Sequence, residues 1–141
     1  MMKRIDFYKL ADEAALARQT AYAPYSGFTV GAALLTADEK VYTGCNIENA
    51  AYGPSVCAER VAFFKAVADG YRKPEDFTAI AIVGGKAGQD PETQCPPCGV
   101  CRQVMNEFTD PEAFLVIIPD EKGELDVHTL SELLPLGFKL K

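Results

Sequence analysis

Apolar residues recur at three- and four-residue spacing near the start of the chain. Phe7, Leu10, Ala11, Ala14 and Ala17 form one stripe, which predicts an amphipathic helix over residues 6–22. Pro24 and Gly27 then mark a turn that ends it. Residues 28–36 and 40–46 read as two strands joined at Ala37-Asp38-Glu39 in a hairpin. Gly53 and Pro54 make 47–55 a loop. Ser55 is placed to cap a helix over 56–69 that stops at Gly70. The mostly apolar run 77–83 has the pattern of a buried strand. A loop rich in Gly and Pro (84–97), a helix (98–108), a second buried strand (113–118), a short strand (125–127) and a short helix (129–134, capped by Thr129 or by the preceding turn) complete the chain.

The predicted order is helix, two strands, helix, strand, helix, two strands, helix. Alternation of this kind gives an α/β class with a central sheet covered on both faces and an antiparallel hairpin at one side. No repeat, low-complexity tract or linker divides residues 1–141, so one domain is expected.

The 141 residues are 48% hydrophobic and 24% charged, with a net charge of −6. Phosphate recognition needs clustered Lys and Arg, so this balance argues against nucleic-acid or anionic-membrane partners. Lys3 and Arg4 are not followed by an apolar stretch, because Asp6, Lys9, Asp12 and Glu13 interrupt it, so no signal peptide or membrane span is expected. The odd count of five cysteines, spaced as metal ligands, implies reduced thiols and a cytoplasmic setting.

The chemistry concentrates in Cys57-Ala58-Glu59 and Pro97-Cys98-Gly99-Val100-Cys101. Three thiolates fill three corners of a zinc tetrahedron and leave the fourth open, the mark of a catalytic rather than a structural site. A glutamate that is not itself a ligand completes the arrangement known for zinc deaminases. A lone Cys-x-x-Cys is also compatible with a redox pair or half of a structural zinc site. Cys95 or Cys45 could supply a fourth ligand in that case. Pro97 suits the first position of a helix, which favours Cys98 and Cys101 over Cys95 as the pair on one face. Cys45 lies in a strand-like segment and reads as a buried thiol.

Four stretches together carry a resemblance to the small, homotetrameric cytidine deaminases over nearly the whole chain. They are 23–34 (APYSGFTVGAAL), 44–52 (GCNIENAAY), 57–60 (CAER) and 97–103 (PCGVCRQ). The resemblance implies a three-layer α/β/α sandwich with a central mixed sheet and one zinc ion per subunit, held by Cys57, Cys98 and Cys101. It also implies hydrolysis of cytidine and deoxycytidine to the uridine forms and ammonia, in pyrimidine salvage. Glu59 would move protons between water, ring N3 and the leaving amine. Asn46 and Glu48 would bind the ribose 3′-hydroxyl, and Phe28 would stack on the pyrimidine. Tyr52 and Phe138 would approach a neighbouring subunit's site. Three thiolates burden a zinc with negative charge, and hydrogen bonds from Arg60 and Arg102 to ligand sulfur would drain it. Blasticidin-S deaminases share the zinc motifs but lack the Asn-x-Glu pair. Deaminases of tRNA or single-stranded DNA use His-x-Glu and basic surfaces. The nucleoside reading is favoured over both.

Overall fold

The computed structural model describes residues 4–140; Lys3 lies outside them. Helix α1 (Arg4–Ala17) leads through a short 3₁₀ turn (Arg18–Thr20) to β1 (Phe28–Thr36) and β2 (Val41–Cys45). Then follow α2 (Ala58–Ala68), β3 (Phe77–Lys86), α3 (Gly99–Phe108), β4 (Leu115–Pro119), β5 (Leu125–Thr129) and α4 (Leu130–Leu133). The sheet order is β2-β1-β3-β4-β5. Only the β3–β4 pair is parallel, joined by the crossover through α3, so the sheet is mixed. No helix among the described residues is long and apolar enough to cross a membrane.

Strand parity divides the core into two layers. Ala33, Leu35, Ala79, Ala81 and Ile117 pack with Leu10 and Ala14 of α1. Their neighbours Ala32, Leu34, Ile80, Ile82 and Val116 pack with α2, α3 and α4 on the other face. Phe63 centres that second layer, with ring centroids 5.2, 6.3 and 5.8 Å from Phe77, Phe108 and Phe114. Truncating such a side chain to Ala costs about 3–5 kcal/mol.

The position of α2 depends on one missing side chain. A Cβ on Gly44 of β2 would lie 2.2 Å from the Ala58 carbonyl oxygen and 2.7 Å from the Ala62 nitrogen. The helix start can lie on the sheet there only because that position is glycine.

Element boundaries differ from the sequence reading in several places, each for a tertiary reason. The first helix stops at Ala17, not near Tyr22, and Arg18 turns away to anchor distant backbone. Its Nε donates to the Thr29 carbonyl (3.1 Å), and its Nη2 donates to those of Lys86 and Gln89 (3.0 Å each). Strand β3 continues through Gly84 and Gly85 to Lys86, because β1 pairs with it there: Phe28 opposes Lys86 and Thr29 opposes Gly85. Ser55 does not cap α2. Its hydroxyl serves the 49–55 turn, accepting from the Asn49 N–H and lying within hydrogen-bond range of the Asn49 and Ala51 carbonyls. The residue at the N-cap is Cys57, in extended conformation. Pro97 likewise stands just before the N-cap Cys98, rather than at the first helical position. Gly70 has a φ of +105° just past the end of α2, as a helix stop requires. Thr129 caps α4 through a capping box with Glu132.

Candidate active site

Two helices begin at cysteines. The carbonyl of Cys57 accepts the Val61 N–H and that of Cys98 accepts the Arg102 N–H, the first helical bonds of α2 and α3. Both side chains therefore leave from extended residues off the helix ends, and Cys101 follows inside α3. Two positions apart inside one helix, Cys57 and Glu59 would point some 200° apart; with Cys57 off the helix end that constraint is lifted.

The Sγ atoms of Cys57, Cys98 and Cys101 all lie within 4.8 Å of one another, the one such cluster of potential ligands among the described residues. Cys57 and Cys98 are 3.8 Å apart. Zinc–sulfur bonds of about 2.3 Å around a tetrahedron separate the sulfurs by roughly 3.8 Å, so this donor set fits one zinc ion. Cys95 and Cys45 stand outside the cluster, so no fourth thiol joins it.

The surroundings of Cys57 favour its thiolate form. A hydrogen bond from the Cys101 thiol, with further ones from Arg60 and Cys98, pulls Cys57 down to about 5 and raises Cys101 in turn. Arg60 Nη2 lies 3.7 Å from Cys57 Sγ, while its buried Nε has no partner. Arg102 is engaged elsewhere. Its Nε donates to the Pro97 carbonyl (2.8 Å) and its Nη1 to that of Leu133 (2.6 Å), so those hydrogen bonds fasten the start of α3 to the end of α4 instead of reaching a sulfur.

Glu59 occupies the first turn of α2 and is only 4% exposed. Burial is the main cause that lifts its carboxyl to about 7, and the Cys57 charge adds to it. A carboxyl titrating near neutrality can both accept and release a proton.

A cavity of about 370 Å³ opens beside the thiols, lined by Val30, Asn46, Glu48, Tyr52, Glu59 and Cys95 among others. Asn46 holds the start of β1: its Oδ1 accepts from the Val30 N–H (2.8 Å) and its Nδ2 donates to the Phe28 carbonyl (2.9 Å). Glu48 Oε1 accepts from the N–H groups of Tyr25 (2.9 Å) and Ser26 (3.1 Å), and Oε2 from the Ser26 hydroxyl. The Ser26 hydrogen bond is the main influence that keeps the Glu48 carboxyl below its usual value. Phe28 does not line this cavity; it borders a smaller one of about 140 Å³ with Gly85 and Glu92. Tyr52 is 96% exposed and Phe138 66% exposed. The Phe138 carbonyl is nonetheless held by Gln103 Nε2 (3.1 Å) and Asn106 Nδ2 (3.0 Å), so the tail backbone rests on α3 of its own chain.

Sequence reasoning missed the Tyr25–Ser26 turn as a cradle for Glu48 and Cys95 as a cavity residue. No local signal ties Glu48 to a turn more than twenty residues earlier. For Cys95, the signal was its place just before the Pro-Pro-Cys that starts α3.

Among the described residues three thiols converge and two of them line the cavity, the arrangement of an open zinc site of the catalytic class rather than a closed four-ligand one. The profile of the cytidine and deoxycytidylate deaminase zinc-binding region matches residues 5–117. A cytidine deaminase of Sporosarcina psychrophila is 48% identical over 134 residues, covering 95% of this chain and 92% of that protein. One from Halalkalibacterium halodurans is also 48% identical over 134 residues, covering 95% of each. The crystal structure of cytidine deaminase from Burkholderia pseudomallei superposes with a TM-score of 0.84 at 47% identity, covering 97% of this chain and all of that one. The chain belongs to the cytidine and deoxycytidylate deaminase family.

Proposed function

We propose that this protein hydrolyses the exocyclic amine of cytidine and 2′-deoxycytidine, giving uridine or 2′-deoxyuridine and ammonia. The observation that carries the reading is Glu59, a buried carboxyl lifted to about 7 beside a three-thiolate site in an open cavity. Cys57, Cys98 and Cys101 would hold zinc, which when bound would supply the Lewis acidity that makes water a competent nucleophile near neutral pH. Glu59 takes one proton from the attacking water and passes it to ring N3, then takes the second from the hydroxyl formed on C4 and passes it to the amine as the carbon–nitrogen bond breaks. Such acid–base help is worth about 10²–10⁴-fold in rate.

Asn46 and Glu48 bind the ribose. Asn46 keeps one amide N–H free of its backbone bonds, and ionised Glu48 retains lone pairs beyond those taken by Tyr25 and Ser26. A donor and an acceptor together suit a hydroxyl, and this favours a plain nucleoside over a blasticidin-like substrate. Phe28 stacks on the base after a modest shift toward the cavity. Arg60 drains charge from the Cys57 sulfur, and Arg102 acts on the same site indirectly, by fixing Pro97 before Cys98. The exposed Tyr52 and Phe138 rings complete the site of a neighbouring copy in a homotetramer. The chain works as one domain, in the cytoplasm, in nucleoside salvage.

The test is the fall in ultraviolet absorbance near 280 nm when purified protein meets cytidine, beside a Glu59→Ala control and a zinc assay. Turnover that vanishes in the control, with about one zinc per chain, is the expected result. Bound zinc without turnover refutes the substrate assignment.

A further inference from the structure

Cys95 is outside the thiol cluster, yet it lines the cavity together with Glu59 and Cys98. Its place depends on a missing side chain across the sheet. A Cβ on Gly84, near the end of β3, would lie 2.7 Å from Cys95 Sγ and 2.9 Å from Phe28 Cε2. Real Cβ atoms do not come that close, so the thiol and the ring edge share a notch that only glycine leaves open. Of the two, Cys95 reaches the cavity and Phe28 does not. Cys95 also borders a separate cavity of about 380 Å³ between α1 and the β4–β5 turn, so it stands as a partition between two spaces.

We propose that Cys95 is a specificity-determining wall of the nucleoside cavity, seated in the Gly84 notch and limiting the bulk a pyrimidine can carry at C5. The proposal rests on the pyrimidine-nucleoside reading above. Glu59 must reach N3 and the amine on C4, so the ring position beyond C4, on the side away from N3, is C5. Cys95 precedes the ligand Cys98 by three residues and lines the same cavity as Cys98 and Glu59. A thiol is a small, largely apolar surface. One methyl group more or less in an apolar pocket changes selectivity by roughly 10–200-fold.

The experiment measures kcat, KM and zinc content with cytidine and 5-methylcytidine for the wild type, Cys95→Ala, Cys95→Leu, Gly84→Ala and the Gly84→Ala/Cys95→Ala double variant. Cys95→Ala should raise kcat/KM for 5-methylcytidine relative to cytidine by about tenfold, the low end of that range, with zinc retained. Cys95→Leu should raise the cytidine KM by a similar factor, about tenfold, and change kcat less. Gly84→Ala drives the sulfur and the ring out of the notch and raises KM. The double variant should recover much of that loss, because the displaced sulfur is gone. An unchanged 5-methyl preference in Cys95→Ala overturns the proposal, whether or not Cys95→Leu folds. Loss of zinc in Cys95→Ala also overturns it, by assigning the thiol to the metal. A zinc-loaded wild type that ignores cytidine overturns the substrate reading and this inference together. An active wild type with insensitive variants overturns the wall alone.

Discussion

Arg60 reaches back one helical turn to place its Nη2 3.7 Å from the Sγ of Cys57. The contact joins the first turn of α2 to the residue that caps it. The guanidinium favours the thiolate form of Cys57 by hydrogen bonding and by charge. Replacing Arg60 with Gln should therefore lower turnover or zinc affinity by about 10–100-fold, the usual cost of losing a partner to a metal ligand. Folding should suffer less, because the orphaned Nε leaves with the side chain. Steady-state kinetics beside a melting curve checks this; unchanged turnover sinks the charge argument.

Glu59 should cost stability while it supports chemistry. Its folded carboxyl is lifted to about 7, above the unfolded value near 4.5, mainly by burial. The unfolded chain ionises it more readily, so the destabilisation is absent in acid and grows as pH rises from about 4.5 towards 7. Glu59→Gln should melt higher than the wild type at pH 8, with the gap closing near pH 4, and should lose activity. Equal melting temperatures at pH 8 would refute the burial argument.

His128 contributes stability of the opposite pH sense. Its Nε2 lies 2.9 Å from Asp126 Oδ1 and its Nδ1 3.6 Å from Glu132 Oε2, and the Asp126 hydrogen bond is the main cause that raises its pKa above the usual 6.5. Stabilisation by the protonated ring is fully present below 6.5 and fades as pH rises through the folded value. Depressed carboxyl values at Asp126 and Glu132 bound the window from below, since acid removes the partners. His128→Gln should lower the melting temperature most between about pH 5 and 6.5, and least at pH 9. A pH-independent difference contradicts this account.

Gly44 should tolerate no side chain. A methyl there would lie 2.2 Å from the Ala58 carbonyl, which is backbone and cannot swing aside. Gly44→Ala should cost at least about 1–3 kcal/mol, as overpacking does, and should reduce zinc content because Cys57 moves with the start of α2. Denaturant melts and metal analysis of one preparation decide the matter.

Removing residues 135–141 should leave the exposed Phe138 ring unavailable and the amides of Gln103 and Asn106 without their shared acceptor. Activity and assembly should fall together, read by kinetics and light scattering. A fully active truncated monomer refutes the neighbour-site role.

The order of elements was legible because each helix and strand carries its own apolar period. Gly84 and Gly85 were not readable as strand, since glycine has little preference for one and only the facing β1 residues hold them there. Cys57 as an N-cap was hidden by Ser55, a better capping residue by type that the 49–55 turn claims instead. The thiol cluster was legible from spacing and residue type. Arg102 was not, because one of its two acceptors, the Leu133 carbonyl, is brought in by α4 thirty-one residues later.

Strand parity has one more consequence. The thiols, Glu59 and the cavity all belong to the layer of α2 and α3, while Leu10, Ala14, Ala33, Ala79 and Ile117 lie behind the sheet. The sheet stands between the two layers except beside Cys95, which borders both the cavity at the thiols and the space against α1. Conservative substitutions behind it change how often the chain is folded without changing what the folded molecule does. That rear layer can therefore be varied to tune abundance and lifetime while the chemistry in front stays constant.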